Sequence, residues 1–211
     1  MRASDDGVNA AGGNDSSSVN GRPGQNGFST NGDSFIRITG GTLVVDASGD
    51  GLDSNGALYI TGGSVTVSGP TSGADGALDY DGTCEITGGT LVAAGSSGMA
   101  QAPGSSSSQA SLMVSFSSTQ QAGTTLRLTD TSGKTVVEYT AAKAVQNIVI
   151  SAPELKDGES YTLYSGEDEL CTVTLSGSVT SVSDSGQSVN TGGMGGMPGG
   201  QGQGGMQPPT R

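Results

Sequence analysis

The chain has 211 residues, of which only 32% are hydrophobic and 4% aromatic while 38 are glycine, which is too little apolar material for one compact globular core but enough for a thin-cored stack of repeats. With 20 acidic against 8 basic residues and a formal charge of −12, nucleic acid is excluded as a natural partner, because phosphate binding needs clustered Lys and Arg, and anionic membrane surfaces are disfavoured for the same reason. No apolar run approaches the ~18 residues of a membrane-spanning helix, and the start, Met1 to Asp6, does not read as a signal peptide.

Residues 1–15 read as one partial coil. Asp5-Asp6-Gly7-Val8-Asn9-Ala10 has the pattern of the middle of a coil with no strand before it, so the chain reads as N-terminally truncated. Ser16 to Ser34 is a Ser/Gly/Asn-rich loop insertion without periodicity.

Residues 35–103 carry three copies of one pattern: Ile38-Thr39-Gly40-Gly41, Ile60-Thr61-Gly62-Gly63 and Ile86-Thr87-Gly88-Gly89. The spacing is 22 residues (Thr39 to Thr61) and then 26 (Thr61 to Thr87), within the ~20–50 residue range of solenoids. The copies place Ile36, Leu58 and Cys84 in one column, Ile38, Ile60 and Ile86 in the next, then Leu43, Val65 and Leu91, then Val45, Val67 and Ala93. Every other residue is apolar, which predicts two short strands per repeat bent around a Gly-Gly corner. One coil per repeat makes a parallel β-helix over residues 1–104, its interior filled by those columns. Cys84 falls in an apolar column and reads as a small buried side chain. Two distant cysteines and no histidine match no zinc spacing.

Ala102-Pro103-Gly104 and the serines after it break the composition. From Ser111 the apolar alternation continues without Gly-Gly, at 112–116, 125–128, 136–139, 148–150, 161–164 and 173–175. This predicts a small antiparallel sandwich-like domain over 105–186, with turns at Asp130 to Lys134 and Lys156 to Glu159, covering the open end of the solenoid. The Gly/Met-rich tail, 187–211, reads as disordered, with Met194, Met197 and Met206 as filler rather than copper ligands.

The turns opposite the Gly-Gly corners hold the acids. Gly49-Asp50-Gly51-Leu52-Asp53-Ser54-Asn55-Gly56 aligns with Ala74-Asp75-Gly76-Ala77-Leu78-Asp79-Tyr80-Asp81-Gly82, and Asp6 and Asn9 fall in the looser first copy. In the fourth copy Met99 is the apolar anchor and Ala100 replaces the acid. Stacked coils put Asn9, Asp53 and Asp79 ~4.8 Å apart. Like charges so close are costly unless a cation lies between them, and carboxylate, amide and carbonyl oxygens suit Ca²⁺. Calcium is therefore predicted at Asp6, Asn9, Asp50, Asp53, Asn55, Asp75, Asp79 and Asp81. The competing explanation is that Asp, Asn and Gly favour any turn; the abrupt end of the column at Ala100 favours calcium.

Outward positions form a second pattern. Arg37, Tyr59 and Glu85 share a column before the corner, and Thr42, Ser64 and Thr90 share one after it. Aromatic rings, charged groups and hydroxyls on a flat face can stack on and hydrogen-bond to sugars, making Arg37, Tyr59, Tyr80 and Glu85 candidate carbohydrate contacts. Solvent-facing strand residues of these types are also common without a ligand.

Several strings, above all the one from Gly88-Gly89-Thr90-Leu91 through Gly98-Met99-Ala100-Gln101-Ala102-Pro103, together with Gly49 to Gly56 and Gly76 to Gly82, closely resemble the bacterial carbohydrate-binding-domain family of cell-surface β-helix proteins. The resemblance covers about residues 4–175 and includes a Gly/Ser-rich insertion like that at 16–34. It implies a right-handed, polysaccharide-lyase-like parallel β-helix that holds calcium and binds cellulose or acidic, polyuronate-like glycans outside the cell. Family members usually begin with an export signal and further coils, from which this chain departs. The resemblance carries the calcium role onto the aspartates above and names no sugar-contacting residue.

Three functions follow as expectations. The first is a non-catalytic, calcium-stabilised carbohydrate-binding protein. The second is a calcium-dependent polysaccharide lyase, which needs a basic side chain to remove a proton; before residue 105 only Arg2, Arg22 and Arg37 are basic, and Arg37 is the one candidate. The third is a structural adhesin or spacer without glycan binding.

Overall fold

The computed structural model describes residues 1–10 and 34–189. The chain is all-β: the described residues form strands and no helix. The predictions for 11–33, and for the tail beyond Val189, lie outside the described residues.

The first half alternates long and short strands. The long ones are β3 (Phe35–Ala47), β5 (Ala57–Ser68) and β7 (Cys84–Gly95), and the short ones are β2 (Val8–Ala10), β4 (Leu52–Ser54) and β6 (Leu78–Tyr80). A two-residue β1 (Arg2–Ala3) pairs with Asp46 and Ala47 of β3. The long strands pair in parallel in the predicted columns: Ile36 with Leu58 and Leu58 with Cys84, then Ile38, Leu43 and Val45 with their counterparts. The short strands form a second parallel ladder, β2-β4-β6, joining Val8, Leu52 and Leu78. One core contains Leu58, Ile60, Val65, Val67, Cys84, Ile86 and Leu91 from the long strands together with Leu52 and Leu78 from the short ones, all essentially inaccessible.

The Gly-Gly pairs do not separate two strands, as the sequence predicts. Each lies within one continuous strand of 12 or 13 residues, where the pairing slips at a bulge between Thr39 and Thr42 and again between Thr61 and Ser64. The second glycine of each pair has positive φ, +79° at Gly41, +92° at Gly63 and +83° at Gly89, so the kink is absorbed locally and the ladder resumes. A Cβ on Gly63 would come within 2.8 Å of both Gly40 C and Gly41 O on β3.

The second half comprises β8 (Ser111–Gln120), β9 (Thr125–Asp130), β10 (Thr135–Thr140), β11 (Val145–Ser151), β12 (Ser160–Ser165), β13 (Asp168–Thr174) and β14 (Val179–Ser183). β10-β9-β12-β13 is an antiparallel sheet of its own. The other three strands extend the large sheet of the coils, in the order β1-β3-β5-β7-β11-β8-β14. β11 runs antiparallel along the edge of β7 that β5 leaves unpaired, with Ile148 opposite Ala94 and Ile150 opposite Val92.

The second layer is thus neither a separate sandwich nor wholly antiparallel, since β14 pairs in parallel with β8. The reason is the two-residue period of a strand. Along β7, Leu91 and Ala93 face the coil core while Val92 and Ala94 face the second core; along β11, Val149 faces the first and Ile148 and Ile150 the second. Side-chain contacts reinforce the join: Ser68 Oγ lies 3.0 Å from the Tyr139 hydroxyl, and Lys143 bridges to Asp46 at 3.0 Å, the carboxylate that also holds Arg2 at 2.9 Å.

Turn chemistry matches the sequence reading at Asp130, whose Oδ1 accepts from the backbone N–H groups of Ser132 and Lys134 while Gly133 takes φ +81°. Residues 187–189, predicted as part of the disordered tail, are tied to β14. Ser188 bridges to Val182, and the Val189 N–H donates to Ser181 O at 3.0 Å.

Candidate functional site

The short ladder holds the acids where a two-residue period demands. Val8, Leu52 and Leu78 point toward the core, so Asn9, Asp53 and Asp79, paired across β2, β4 and β6, point outward. The Asn9 amide donates to Asp53 Oδ2 at 2.5 Å and to Asp6 Oδ2 at 2.9 Å. At the other end of the row the Gln101 amide donates to Asp79 Oδ1 at 3.1 Å while its own oxygen accepts the Tyr80 N–H. The row therefore reads amide, acid, acid, amide.

Two sequence alignments shift here. Ala100 is not the residue that follows the acids: it packs against the coil core, Met99 is 38% exposed, and Gln101 stands against Asp79. Asp75 is not the counterpart of Asp50. Leu52 pairs with Leu78, and Ala77 adds one residue between Gly76 and Leu78, so Asp50 stands opposite Gly76 and its Oδ1 accepts the Gly76 N–H at 2.6 Å. Asp6 makes the same bond one coil earlier, Oδ1 accepting the Asp50 N–H at 2.9 Å. Asp6, Asp50 and Gly76 thus form a second row.

The two rows are electrostatically coupled. Burial pushes Asp50 up to about 7, with Asp79, Asp75 and Asp6 adding repulsion against the Gly76 N–H. Burial likewise pushes Asp53 up to about 7, helped by the charges of Asp6, Asp79 and Asp81. Asp79 is raised by burial and then by Asp81, and Asp75 by burial and then by Asp6 and Asp5. Asp81 is exposed and holds Ser54 O through its backbone N–H; Asn55 is half-buried, its backbone N–H on Ala10 O.

As a calcium centre this arrangement fits in donor chemistry and not in preorganisation. Its donors are hard oxygens whose mutual repulsion a divalent cation would relieve. Among the described residues, however, no three His, Cys, Asp or Glu side chains are grouped so as to hold a metal ion. Four of the carboxylates, Asp6, Asp50, Asp53 and Asp79, accept from a side-chain amide or a backbone N–H.

The outward row on the long strands is Arg37, Tyr59 and Glu85, paired across β3, β5 and β7. The Arg37 guanidinium lies 4.6 Å from the centre of the Tyr59 ring and 5.8 Å from that of Phe35, and the two rings meet edge to face at 6.4 Å. Phe35, 56% exposed, belongs to this cluster although repeat logic passes over it, because its column partner is Ala57. The exposed aromatic one step outside the apolar alternation was the available signal.

Tyr80 is not on this face. It sits on β6, packs against the coil core, donates its hydroxyl to Ala102 O at 2.5 Å, and is pushed by burial up to about 12. Cys84 is fully buried, its thiol pushed by burial up to about 12, and Cys171 is a buried free thiol in the second half. Arg37, the candidate base of the lyase reading, does not stand with the acidic row: Arg37 is on β3 of the large sheet, Asp53 on β4 of the short ladder.

No helix among the described residues is long and apolar enough to cross a membrane. No family model, curated protein or solved structure matches the chain. The family resemblance therefore rests on the quoted motifs alone.

Proposed function

We propose that this is a non-catalytic carbohydrate-binding protein of the bacterial cell surface, in which a right-handed parallel β-helix presents a glycan-binding face on its long strands and is braced by calcium at its short ones. The single observation that carries the reading is the exposed cluster of Phe35, Arg37 and Tyr59, continued by Glu85, on the flat outer side of parallel strands. Ring faces, fork-shaped donors and a carboxylate acceptor on one surface are what a polysaccharide needs. The paired ladders, with one shared core and one long and one short strand per coil, support the β-helix. The raised carboxyls of Asp50 and Asp53 support a bound cation, held by Asp53 and Asp79 or by Asp6 and Asp50 and completed by carbonyls or water.

Against the lyase reading stands the placement of its candidate base, the Arg37 guanidinium, which lies beside two rings on the long strands while Asp53 stands on the short ladder. The test is retention on insoluble cellulose and on polygalacturonate, each with calcium and with chelator, while absorbance of unsaturated uronate is followed. Retention without absorbance is the expected result. Growing absorbance overturns the non-catalytic reading in favour of a lyase, and no retention on either glycan leaves the spacer.

A further inference from the structure

The two rings of the outward cluster are not equivalent. Tyr59 is half-buried and carries the guanidinium on its face at 4.6 Å, whereas Phe35 is 56% exposed, meets Tyr59 only edge to face, and has Arg37 at the longer distance of 5.8 Å. A sugar ring needs an open aromatic face, and Phe35 offers one where Tyr59 does not.

The charges around it point to one kind of sugar. Arg37, exposed and laid against two ring faces, brings the row one positive charge. Glu85 continues the same row, one strand beyond Tyr59, and the whole chain carries −12. A polyanion laid along the row would meet that field and the Glu85 carboxylate; an uncharged polyol would find in Glu85 an acceptor, in Arg37 donors, and beyond the bulge a further row of hydroxyls on Thr42, Ser64 and Thr90.

Resting on the carbohydrate-binding reading above, we infer that Phe35 is the anchor of the ligand face and that this face takes an uncharged saccharide chain in preference to a polyuronate. Calorimetric titration with soluble cello-oligosaccharide and with oligogalacturonate tests it on the full chain, for wild type and for Phe35→Ala, Phe35→Tyr and Glu85→Gln, each with its melting temperature recorded. The neutral oligosaccharide should bind at least about tenfold tighter than the uronate, Phe35→Ala should lose about tenfold or more, and Phe35→Tyr should keep most of the affinity. Glu85→Gln should narrow the gap between the two ligands by improving uronate binding.

Unchanged affinity in Phe35→Ala, or uronate bound as tightly as the neutral chain, overturns the inference while leaving a carbohydrate-binding protein. Wild type that binds neither ligand overturns both. Should Phe35→Ala fail to fold, Phe35→Leu, which keeps the apolar area without a ring face, must show the same loss of affinity; retained affinity there is equally fatal.

Discussion

The two halves solve the same problem, burying the faces of short strands, in opposite ways. In the first half each long-strand core residue pairs with the equivalent residue one repeat away, Leu58 with Cys84 or Ile60 with Ile86, so the backbones stack closely and the apolar columns run from repeat to repeat. In the second half the strands return antiparallel, save β14, which runs parallel to β8, and two sheets close over a broader core that includes Leu112, Leu128, Leu163 and Ile148. Close stacking makes the coil half depend on glycine and leaves its outward charges superimposed, and the second half escapes both. The halves are nonetheless one cooperative body if the sheet they share behaves as one.

That last condition is where the comparison breaks most easily. Val149 comes from the second half and packs in the coil core, 1% exposed. Val149→Asp would put an unpaired carboxylate there, costing about 3–5 kcal/mol. The expected result is a single, strongly lowered denaturation midpoint, with faster amide exchange in both β7 and β8. Two transitions, one of them at the wild-type midpoint, would show that the halves fold independently.

The next largest effect separates the roles of glycine. Gly63 and Gly123 both have positive φ, +92° and +87°, but a Cβ on Gly63 meets the backbone of the previous coil at 2.8 Å while one on Gly123 meets nothing within 4 Å. Gly123→Ala should cost about 1–2 kcal/mol, the price of the left-handed backbone alone. Gly63→Ala adds a steric clash that the stack can relieve only by separating coils, so its loss should exceed that of Gly123→Ala by about 1 kcal/mol or more. Urea denaturation of the pair checks it, and equal losses would mean the coils are not closely stacked at the bulge.

Titration should then distinguish the acidic rows of the short ladder from the turn at Asp130 by sign. Asp50 and Asp53 release protons near 7 when folded but near 3.8 when unfolded, so between those values the folded state holds more protons. Stability without a divalent ion is therefore fullest below about 4, declines as pH rises toward 7, and levels off above. In chelator the melting temperature should fall across that window, calcium should restore part of it at pH 7, and Asp53→Asn should flatten the decline. Asp130 in the second half goes the other way: the Ser132 hydroxyl holds its carboxyl low, so its contribution is present above the unfolded value near 3.8 and is lost as pH falls through the lowered one. A melting temperature in chelator that rises from pH 4 to 7 would remove the acidic rows as a source of strain.

What could be read from the sequence follows the same division. The apolar columns were legible because each is written three times, and the row of Asn9, Asp53 and Asp79 because it follows them by one residue. The exchange of partners was not: Asp50 faces Gly76 rather than pairing with Asp75, since one extra residue, Ala77, shifts the turn without disturbing the column at Leu78. Gln101 and Phe35 were missed because neither repeats. In the second half, alternation marked six strands, but β14, with only Val179 and Val182 among Thr and Ser, lacks the apolar period that would reveal it. No local pattern could show that Val92 and Ala94 serve a different core from Leu91 and Ala93, because period two specifies two faces and not what covers each.

The smallest effect on stability gives the sharpest functional contrast. Each half carries one arginine laid over a tyrosine on a solvent-facing strand, Arg37 at 4.6 Å from Tyr59 and Arg127 at 4.8 Å from Tyr164. Both pairs join adjacent strands, and both should contribute about 0.5–1 kcal/mol, the magnitude of an exposed cation–π contact. Arg37→Ala and Arg127→Ala should therefore lower the melting temperature by similar small amounts. Among the described residues only Arg37 has a second ring beside it and a carboxylate further along its row on the parallel strands, so Arg37→Ala and not Arg127→Ala should reduce retention on cellulose. Equal retention of the two variants would detach glycan binding from the long strands and leave the pairs as two instances of the same cross-strand contact.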